Sequence, residues 1–356
     1  MSVKIVEEYL YIIFKAKQIV RCVSLKFKIF VTARSYGVNS PEVFERLKKI
    51  GEVVRAQNPP LKAELLSQII HEYDAIVAGL DEYTAPVLEK AEKLKILARH
   101  GVGVDNVDMK KATELGIIVT YTPSANAISV AEHTFALILS LVKKIVQLDE
   151  SVKTGEWARA KELGSELHGK FLGIIGLGKI GSTVAQLAKA FGMTVIVYDP
   201  YVKEEYAERL GVKLLTLENL LQISDIVSIH APYTNETHHI IGARELSMMK
   251  KEAYIINTAR GGLIDEKALI AALRNKVIAG AALDVFENEP PPPNYELLKM
   301  DNVIVTPHSA AHTRESVSRM TEMVTVDIEA VLRGERPKYV ANPEVLSRDS
   351  LRVKLL

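Results

Sequence analysis

The chain has 356 residues, 48% of them hydrophobic and 25% charged, which is typical of a soluble globular protein and too long for one ordinary core, so two domains are expected. Lysine plus arginine (45) nearly equals aspartate plus glutamate (44), and the net charge of +1 gives no electrostatic reason to expect nucleic acid or an anionic membrane as partner. The single cysteine, Cys22, excludes an intramolecular disulfide and a cysteine-based zinc site.

The start of the chain is apolar enough to raise the question of a signal peptide. Basic residues interrupt it every few positions, which argues against both a signal peptide and a membrane span. They are Lys15, Lys17, Arg21, Lys26 and Lys28. We interpret residues 1–25 as an N-terminal extension, either an extra helix or the product of an upstream start assignment, and we expect a cytoplasmic protein.

Strands and helices alternate regularly from Phe27 to about Pro123. The strands are nearly continuous runs of Val, Ile and Leu between amphipathic helices, which predicts a parallel sheet covered on both faces. The predicted strands span 27–33, 52–57, 74–80, 95–101 and 117–122, and the predicted helices span 41–51, 62–73, 85–94 and 109–116. We assign residues 26–123 to a substrate domain that the C-terminal segment 310–345 completes.

Residues 127–155 form a long apolar segment that is too hydrophobic for an ordinary surface helix, and a helix buried between domains or subunits explains it better. A second alternation of strands and helices begins at Phe171. Its six strands with crossover helices predict a dinucleotide-binding domain over 124–309. The predicted fold class is therefore α/β, with two Rossmann-like or flavodoxin-like domains whose parallel sheets flank an active-site cleft.

Gly176, Gly178 and Gly181 form a GxGxxG motif directly after a strand and at the head of a helix. The first glycine permits a tight turn, the second lets the backbone approach a pyrophosphate, and the third lets helix and strand pack closely. The helix N-terminus adds free N–H groups for the phosphates. Asp199, at the tip of the next strand, would accept from the ribose hydroxyls and repel a 2′-phosphate, so NAD is favoured over NADP.

Two candidate catalytic residues follow predicted strands. Arg260 precedes two glycines, and its planar guanidinium suits a substrate carboxylate, although a surface arginine at a helix entry is the alternative. His308 follows a strand ended by Pro307 and could transfer a proton near neutral pH, although a structural histidine is the alternative.

Two acidic residues in the segment AALDVFENEP have different predicted roles. Glu289, taken as the end of the preceding strand, can reach the imidazole of His308, where a carboxylate fixes the tautomer and favours the imidazolium. Asp284, deeper in the sheet, is better placed to accept from a nicotinamide amide.

We expect no metal site. His308 and His312 form HxxxH, but Pro307 argues against a helix there. His238 and His239 would point to opposite faces of a strand. No cluster of acids and histidines is expected to complete either pair.

Together these residues resemble the D-isomer-specific 2-hydroxyacid dehydrogenase family from about Lys28 to Pro343. The resemblance rests on the motifs HGVGVDNVD, GLGKIG with YDP, HAPYTNET, INTARGGLIDE, GAALDVFENEP and TPHSAAHT, in that order. Phosphoglycerate dehydrogenases are the most similar branch.

The resemblance implies that Arg260 binds the carboxylate and keto oxygen, that His308 is the acid/base and that Glu289 is its partner. It implies backbone contacts from Val102 and Gly103 to the substrate carboxylate. It also implies a homodimer formed through residues 127–155. The further cofactor contacts that it implies come from Lys179, Ile180, His230, Ala231, Pro232, Thr237, Thr258, Ala259, Asp284 and Ala310.

One departure from the phosphoglycerate branch concerns the substrate. That branch usually places an arginine after the third strand, where this chain has Ala78 and Gly79. Arg159 and Lys161 could still supply positive charge. The chain ends soon after Pro343, without the regulatory extension of long family members, so feedback by serine through that route is not expected.

The sequence therefore predicts reversible hydride transfer between NAD and a small 2-hydroxy acid. The candidate substrates are 3-phosphoglycerate and, as an alternative, glyoxylate or hydroxypyruvate. A non-catalytic NAD-sensing scaffold needs the fold but not Arg260, Glu289 and His308. Glu289 argues against a formate enzyme, and phosphite stays open. The substrate side chain depends on loops 34–39 and 78–84.

Overall fold

The computed structural model describes residues 27–157 and 163–355. The predicted N-terminal helix, Arg159 and Lys161 lie outside these residues. The chain divides into two compact units, one containing residues up to 125 together with 317–356, and the other containing residues 126–316. The sequence had placed the two boundaries at 123/124 and 309/310.

Unit 1 contains a five-stranded sheet within the described residues, in the order β2-β1-β3-β4-β5. All its pairings are parallel, which confirms the predicted α/β class for this part of the chain. The strands are β1 (Phe27–Val31), β2 (Gly51–Arg55), β3 (Ala75–Ala78), β4 (Ile96–Arg99) and β5 (Ile118–Thr120).

Helices connect these strands and cover both faces of the sheet. They are α1 (Pro41–Lys48), α2 (Ala63–Ile69), α3 (Ala85–Glu89) and α4 (Met109–Glu114). All four helices are shorter than predicted, and two of them are shorter by about five residues. The helix predicted over 85–94 ends at Glu89, and the one predicted over 62–73 ends at Ile69 and continues as a 3-10 turn over Ile70–Glu72.

The C-terminal segment completes unit 1. Asn342 is buried, its side-chain oxygen accepts from the Val119 N–H at 2.8 Å, and its amide nitrogen donates to the Ile117 carbonyl at 3.0 Å. Ile328 and Val331 pack against the sheet face that includes Ile29. The segment therefore supplies hydrogen-bond partners along the edge of β5 and covers one face of the sheet.

Unit 2 contains a seven-stranded parallel sheet within the described residues, in the order β12-β11-β10-β9-β6-β7-β8. The strands are β6 (Phe171–Ile175), β7 (Thr194–Tyr198), β8 (Lys213–Leu214), β9 (Ile226–Ile229), β10 (Tyr254–Asn257), β11 (Gly280–Leu283) and β12 (Val303–Val305). The sequence predicted six of these strands. It missed β8 because a two-residue strand at the sheet edge has no readable periodicity.

The helices of this part of the chain follow the same alternation. They are α5 (Ala127–Val142), α6 (Ile145–Lys153), α7 (Lys179–Ala190), α8 (Glu204–Leu210), α9 (Leu217–Ile223), α10 (Ala243–Met248) and α11 (Glu266–Arg274). The next helix, α12 (Arg314–Leu332), begins at the end of unit 2, and most of it belongs to unit 1. No helix within the described residues has the length and apolar character needed to cross a bilayer.

The long apolar segment is not one helix. It divides at Lys144, whose φ of 57° is left-handed and stops α5 before α6 begins. Phe135, Ile138 and Leu141 of α5 pack in the core of unit 2 itself, so an interface is not needed to explain the apolar character of α5. α6 buries none of its residues.

The close packing of the C-terminal segment predicts a large effect of Gly116→Ala. Gly116 has φ of 71°, and an added Cβ would lie 1.8 Å from the Ser350 carbonyl oxygen. We expect the free energy of unfolding to fall by roughly 2–3 kcal/mol, measured by denaturant unfolding. Gly169→Ala is the matched control, because its φ is 75° but no atom lies within 4 Å of the added Cβ, so only about 1 kcal/mol of backbone strain is expected. Equal losses in the two variants would contradict the packing argument.

Candidate active site

The candidate residues of unit 2 follow the carboxyl ends of parallel strands. Gly176 follows β6, Asp199 follows β7, His230 follows β9, Thr258 follows β10 and Asp284 follows β11. The carboxyl ends of parallel strands lie at the same edge of a sheet, and that edge is where open α/β sheets bind ligands. The topology therefore brings these loops to one edge.

Each of the three positions of the motif is glycine for a different structural reason. Gly176 has φ of 94°, and an added Cβ would lie 2.7 Å from the Ala231 nitrogen. An added Cβ at Gly181 would lie 2.1 Å from the Gly176 carbonyl oxygen. Gly178, by contrast, has ordinary backbone geometry and no atom within 4 Å of the added Cβ. It borders open space directly before Lys179 and Ile180, the first residues of α7.

Asp199 contacts the glycine loop as well as standing at the tip of β7. One carboxylate oxygen accepts from the Leu177 N–H at 2.8 Å, and the other accepts from the Tyr201 N–H at 3.0 Å. The carboxylate therefore fixes the turn between Gly176 and Gly178 while keeping its negative charge at the strand tip.

The loop after β9 carries four of the predicted cofactor residues. His230 is partly exposed as a residue, but desolvation of its ring lowers its pKa to about 3, so the imidazole is neutral at working pH. Its Nε2 lies 2.8 Å from the Ser228 hydroxyl. Ala231 and Pro232 follow, and the Thr237 hydroxyl donates to the Pro232 carbonyl at 2.7 Å, which closes this loop on itself.

Asp284 is buried directly after β11 and organises the loop that follows β12. Its carboxylate accepts from the Thr306 hydroxyl at 2.5 Å and from the N–H groups of Ser309 and Ala310, both at 2.8 Å. Its carbonyl accepts from the His308 N–H at 2.7 Å. Both carboxylate oxygens thus hold the loop of His308. The predicted contact with a nicotinamide amide stays a prediction.

His308 and Glu289 are in direct contact. The His308 Nδ1 lies 2.6 Å from Glu289 Oε2, and Glu289 Oε1 accepts from the Phe286 N–H at 3.1 Å. His308 has φ of 51° and is not helical, as Pro307 predicted. Because Nδ1 faces the carboxylate, Nε2 is the ring nitrogen that can face a substrate.

The location of Glu289 differs in one respect from the sequence interpretation. β11 ends at Leu283, so Glu289 lies in the loop beyond the strand rather than at its end. The loop passes close to Gly261, where an added Cβ would lie 1.9 Å from the Phe286 carbonyl carbon. A glycine next to Arg260 is therefore what allows the loop of Glu289 to approach.

The backbone of Arg260 is fixed by a residue that sequence reasoning did not single out. Asn257 is buried at the end of β10, donates to the Arg260 carbonyl at 2.8 Å and accepts from the Ala259 N–H at 3.0 Å. The Arg260 guanidinium donates to the Ala259 carbonyl at 2.7 Å. The signal in the sequence was the Asn that ends the apolar strand YIIN.

Glu266 is a second residue that the sequence interpretation missed. It is buried, and its carboxylate accepts from the Glu287 N–H at 2.8 Å and the Tyr295 hydroxyl at 2.5 Å. Burial raises the pKa of Glu266. These bonds fix the loop that leads to Glu289. An acid directly after the helix cap Asp265 was the available signal.

The expectation for the adjacent histidines was wrong. His238 and His239 lie in a turn rather than a strand, and their rings stack at 3.8 Å. His239 lies 2.8 Å from Glu287, and ligand atoms of His239, Asp265 and Glu287 all lie within 4.8 Å of one another. A cluster of acids with histidine therefore does form. Its His239–Glu287 hydrogen bond gives the pair a structural role, and no metal site is assigned.

In unit 1 the predicted substrate residues Val102 and Gly103 follow β4 and are half-buried. The Asn106 amide from the same loop donates to the Gly79 carbonyl at 3.2 Å and to the Asp81 carbonyl at 2.7 Å. The loops after β3 and β4 are thereby tied together.

Comparison with known proteins places the chain in a family. Residues 135–310 match the family described as D-isomer specific 2-hydroxyacid dehydrogenase, NAD binding domain. A glyoxylate reductase of Korarchaeum cryptofilum is 42% identical over 90% of this chain and 98% of its own length. A D-3-phosphoglycerate dehydrogenase of Methanocaldococcus jannaschii is 48% identical over 86% of this chain. The chain spans only 58% of that relative, so it matches little more than half of it.

A solved structure shows the same likeness. The D-lactate dehydrogenase of Aquifex aeolicus, complexed with NAD and lactic acid, has a TM-score of 0.77 and 34% identity, and the match covers 90% of this chain and 97% of that one. The chain belongs to the D-isomer specific 2-hydroxyacid dehydrogenase family and carries its NAD-binding domain.

Proposed function

We propose that the chain is an NAD-dependent D-2-hydroxyacid dehydrogenase that interconverts a small 2-hydroxy acid and its 2-oxo acid. The observation that carries the proposal is the 2.6 Å contact between His308 and Glu289, on the sheet edge that also carries Arg260 and the glycine loop. In the direction of reduction, bound NADH supplies the hydride for the carbonyl carbon.

His308 supplies the proton in this proposal. Its Nε2–H donates to the carbonyl oxygen as negative charge develops there, and in the reverse direction the same nitrogen takes the proton from the hydroxyl. Glu289 accepts from Nδ1, which holds the ring in the orientation and tautomer that this transfer needs. The Phe286 N–H in turn holds the carboxylate of Glu289.

Arg260 orients the substrate. Its guanidinium can make two parallel charge-assisted bonds to the substrate carboxylate and keto oxygen. Asn257 fixes the backbone on both sides of Arg260, so the side chain starts from one defined position. In unit 1, the N–H groups of Val102 and Gly103 are the proposed partners of the carboxylate.

The glycine loop and Asp199 fit a dinucleotide. The open space at Gly178 allows a pyrophosphate to approach the N-terminus of α7, where Lys179 and Ile180 offer their N–H groups. Asp199 stands where the ribose hydroxyls of NAD would be held, and its charge disfavours the 2′-phosphate of NADP. Thr258, Ala259 and Ala310 complete the proposed contacts.

The relatives divide over the substrate, since some are named phosphoglycerate dehydrogenase and others glyoxylate reductase. We therefore propose 3-phosphoglycerate as the candidate substrate, with glyoxylate or hydroxypyruvate as the alternative. A non-catalytic NAD-sensing scaffold is disfavoured because it would have no use for a paired His308 and Glu289.

We also infer a homodimer. The exposed hydrophobic side chains Ile145, Val146 and Val152 lie on α6, which buries none of its residues, and Trp157 and Leu163 flank the undescribed segment 158–162. Trp157 is 82% exposed and Leu163 is 87% exposed. A second copy of the chain that covers this surface would remove these side chains from water.

The first prediction from the proposed function concerns Glu289→Gln. The amide still accepts a hydrogen bond but no longer stabilises the imidazolium, so we expect kcat to fall by roughly 10- to 100-fold. His308→Ala should lose more, about 100- to 10,000-fold, because it removes the proton donor. The measurement is NADH consumption with hydroxypyruvate and glyoxylate.

His312→Ala is the control, because this nearby histidine has no proposed role. NADH binding, followed by fluorescence, should be retained in all three variants. Unchanged turnover in His308→Ala would refute the proposal.

The second prediction concerns Gly178→Ala. The backbone there suits alanine, so we expect the unfolding temperature to stay unchanged. The new methyl group would occupy the open space before α7 and weaken NADH binding by at least about tenfold. Calorimetric titration with NADH measures this, and undiminished affinity would show that the pyrophosphate lies elsewhere.

The third prediction concerns Trp157→Ser. Loss of the exposed indole should shift the chain from dimer toward monomer at micromolar concentration, which light scattering measures. Tyr201→Ser is the matched control, since Tyr201 is 80% exposed on another surface. A wild-type chain that is already monomeric would contradict the inferred dimer.

A further inference from the structure

An exposed arginine at the carboxyl edge of unit 1 has no function in the mechanism proposed above. Arg34 lies three residues beyond the end of β1. Among residues 27–157 and 163–355 its guanidinium makes no salt bridge and no side-chain hydrogen bond, and it covers no aromatic ring. Its charge is therefore available to a ligand.

Other arginines of the same unit are used within the fold. Arg46 bonds to Glu322 and Glu329. Arg55 donates to the Tyr36 carbonyl at 2.6 Å and lies over the Phe44 ring. Arg46 and Arg55 thus both bind other residues of the protein, whereas Arg34 binds none within the part of the chain that the structure describes.

The topology places Arg34 where a ligand is expected. The sheet order β2-β1-β3-β4-β5 reverses direction at β1, so successive connections leave β1 on opposite sides. Doubly wound sheets with this order bind phosphate-containing ligands at the switch between the first and third strands. Arg34 follows β1, Ala78 ends β3 and Gly79 follows it, so these residues flank that switch.

The segment before Arg34 packs closely against the end of β3. The Thr32 and Ala33 N–H groups both donate to the Val77 carbonyl, at 3.0 and 3.3 Å. An added Cβ at Gly79 would lie 3.0 Å from the Thr32 carbonyl oxygen. The end of β3 therefore carries small side chains where the segment before Arg34 passes close by, and the long side chain of Arg34 is the one that can extend over this edge.

The distance across the sheet suits a short substrate with charge at both ends. Val102 and Gly103, the proposed carboxylate site, follow β4, which is two strands away from β1. Two strand spacings are roughly 9–10 Å, a span that a three-carbon acid and an extended arginine side chain can cover together. Asn106 ties the loop after β4 to Gly79, and the Thr32 and Ala33 N–H groups tie the segment before Arg34 to Val77, so β3 holds both ends of this path.

We propose that Arg34 is a specificity residue that binds a second anionic group at the far end of the substrate. The substrate class is a small 2-oxo acid that carries a phosphate monoester or a second carboxylate on its third or fourth carbon. This inference rests on the proposed dehydrogenase function. A guanidinium fork makes two charge-assisted bonds to either anion. It can make only a weaker, neutral bond to the hydroxymethyl group of hydroxypyruvate, and none to the hydrogen of glyoxylate.

The experiment compares three reductions by wild type, Arg34→Gln and Arg34→Lys. The substrates are 3-phosphohydroxypyruvate, 2-oxoglutarate and hydroxypyruvate. The rate of each reduction is measured as NADH consumption. Arg34→Gln should raise KM for the preferred dianionic substrate by about 10- to 100-fold with kcat within about threefold. KM for hydroxypyruvate should change by less than about twofold, and Arg34→Lys should lie between. Which of the two dianions is preferred identifies the anion.

Arg333→Ala is the matched control, since Arg333 is an exposed arginine of the same unit, just beyond the C-terminal end of α12. It should leave all three reactions unchanged. Inorganic phosphate should inhibit wild type competitively and Arg34→Gln at least about tenfold less.

Equal effects of Arg34→Gln on charged and uncharged substrates would overturn the inference and leave the dehydrogenase function standing. Wild-type preference for hydroxypyruvate over both dianions would do the same. If wild type reduced no 2-oxo acid, the proposed function itself would fail, and the two failures are thus distinguished.

Discussion

The buried carboxylate of Asp284 is the interaction on which the candidate site of unit 2 depends. A carboxylate removed from water is costly unless donors replace the lost hydration. Here the replacing donors are the Thr306 hydroxyl and the N–H groups of Ser309 and Ala310, on either side of His308. The left-handed conformation of His308 and the burial of the Asp284 carboxylate therefore stabilise each other.

The other two candidate catalytic residues follow the same logic. Asn257 fixes the backbone of Arg260, and Glu266 fixes the loop that leads to Glu289. Each candidate catalytic residue is thus placed by one buried polar residue that has no proposed role in hydride or proton transfer. When buried side chains form hydrogen bonds with the backbone groups of a loop, the loop holds its residues in position as precisely as a strand does.

Much of the fold and of the candidate site could be predicted from the sequence. The features that could not be predicted have physical reasons. Continuous apolar strands between helices predicted both parallel sheets, and the glycine motif predicted the turn from β6 into α7, because these signals are local. The break at Lys144 and the short strand β8 were not predictable, since a single left-handed residue and a two-residue strand leave no periodic signal. The Glu289–His308 pairing was anticipated, but Glu266 and His239 contact Glu287 from 21 and 48 residues away in the sequence. The contacts of Asn257 are local, but they depend on a side-chain orientation that leaves no periodic signal.

The two sheets have the same arrangement around their first strand. β1 lies between β2 and β3, and β6 lies between β7 and β9. In unit 2 the turn after β6 leads at once into α7, so a helix N-terminus lies where the proposed dinucleotide phosphates would bind. In unit 1 the helix after β1 begins only at Pro41, which leaves a side chain rather than a helix end at that position. Under the proposed function, a single replacement beside the first strand of unit 1 would change the substrate preference without altering the glycine loop of unit 2, so substrate and cofactor preference can evolve separately.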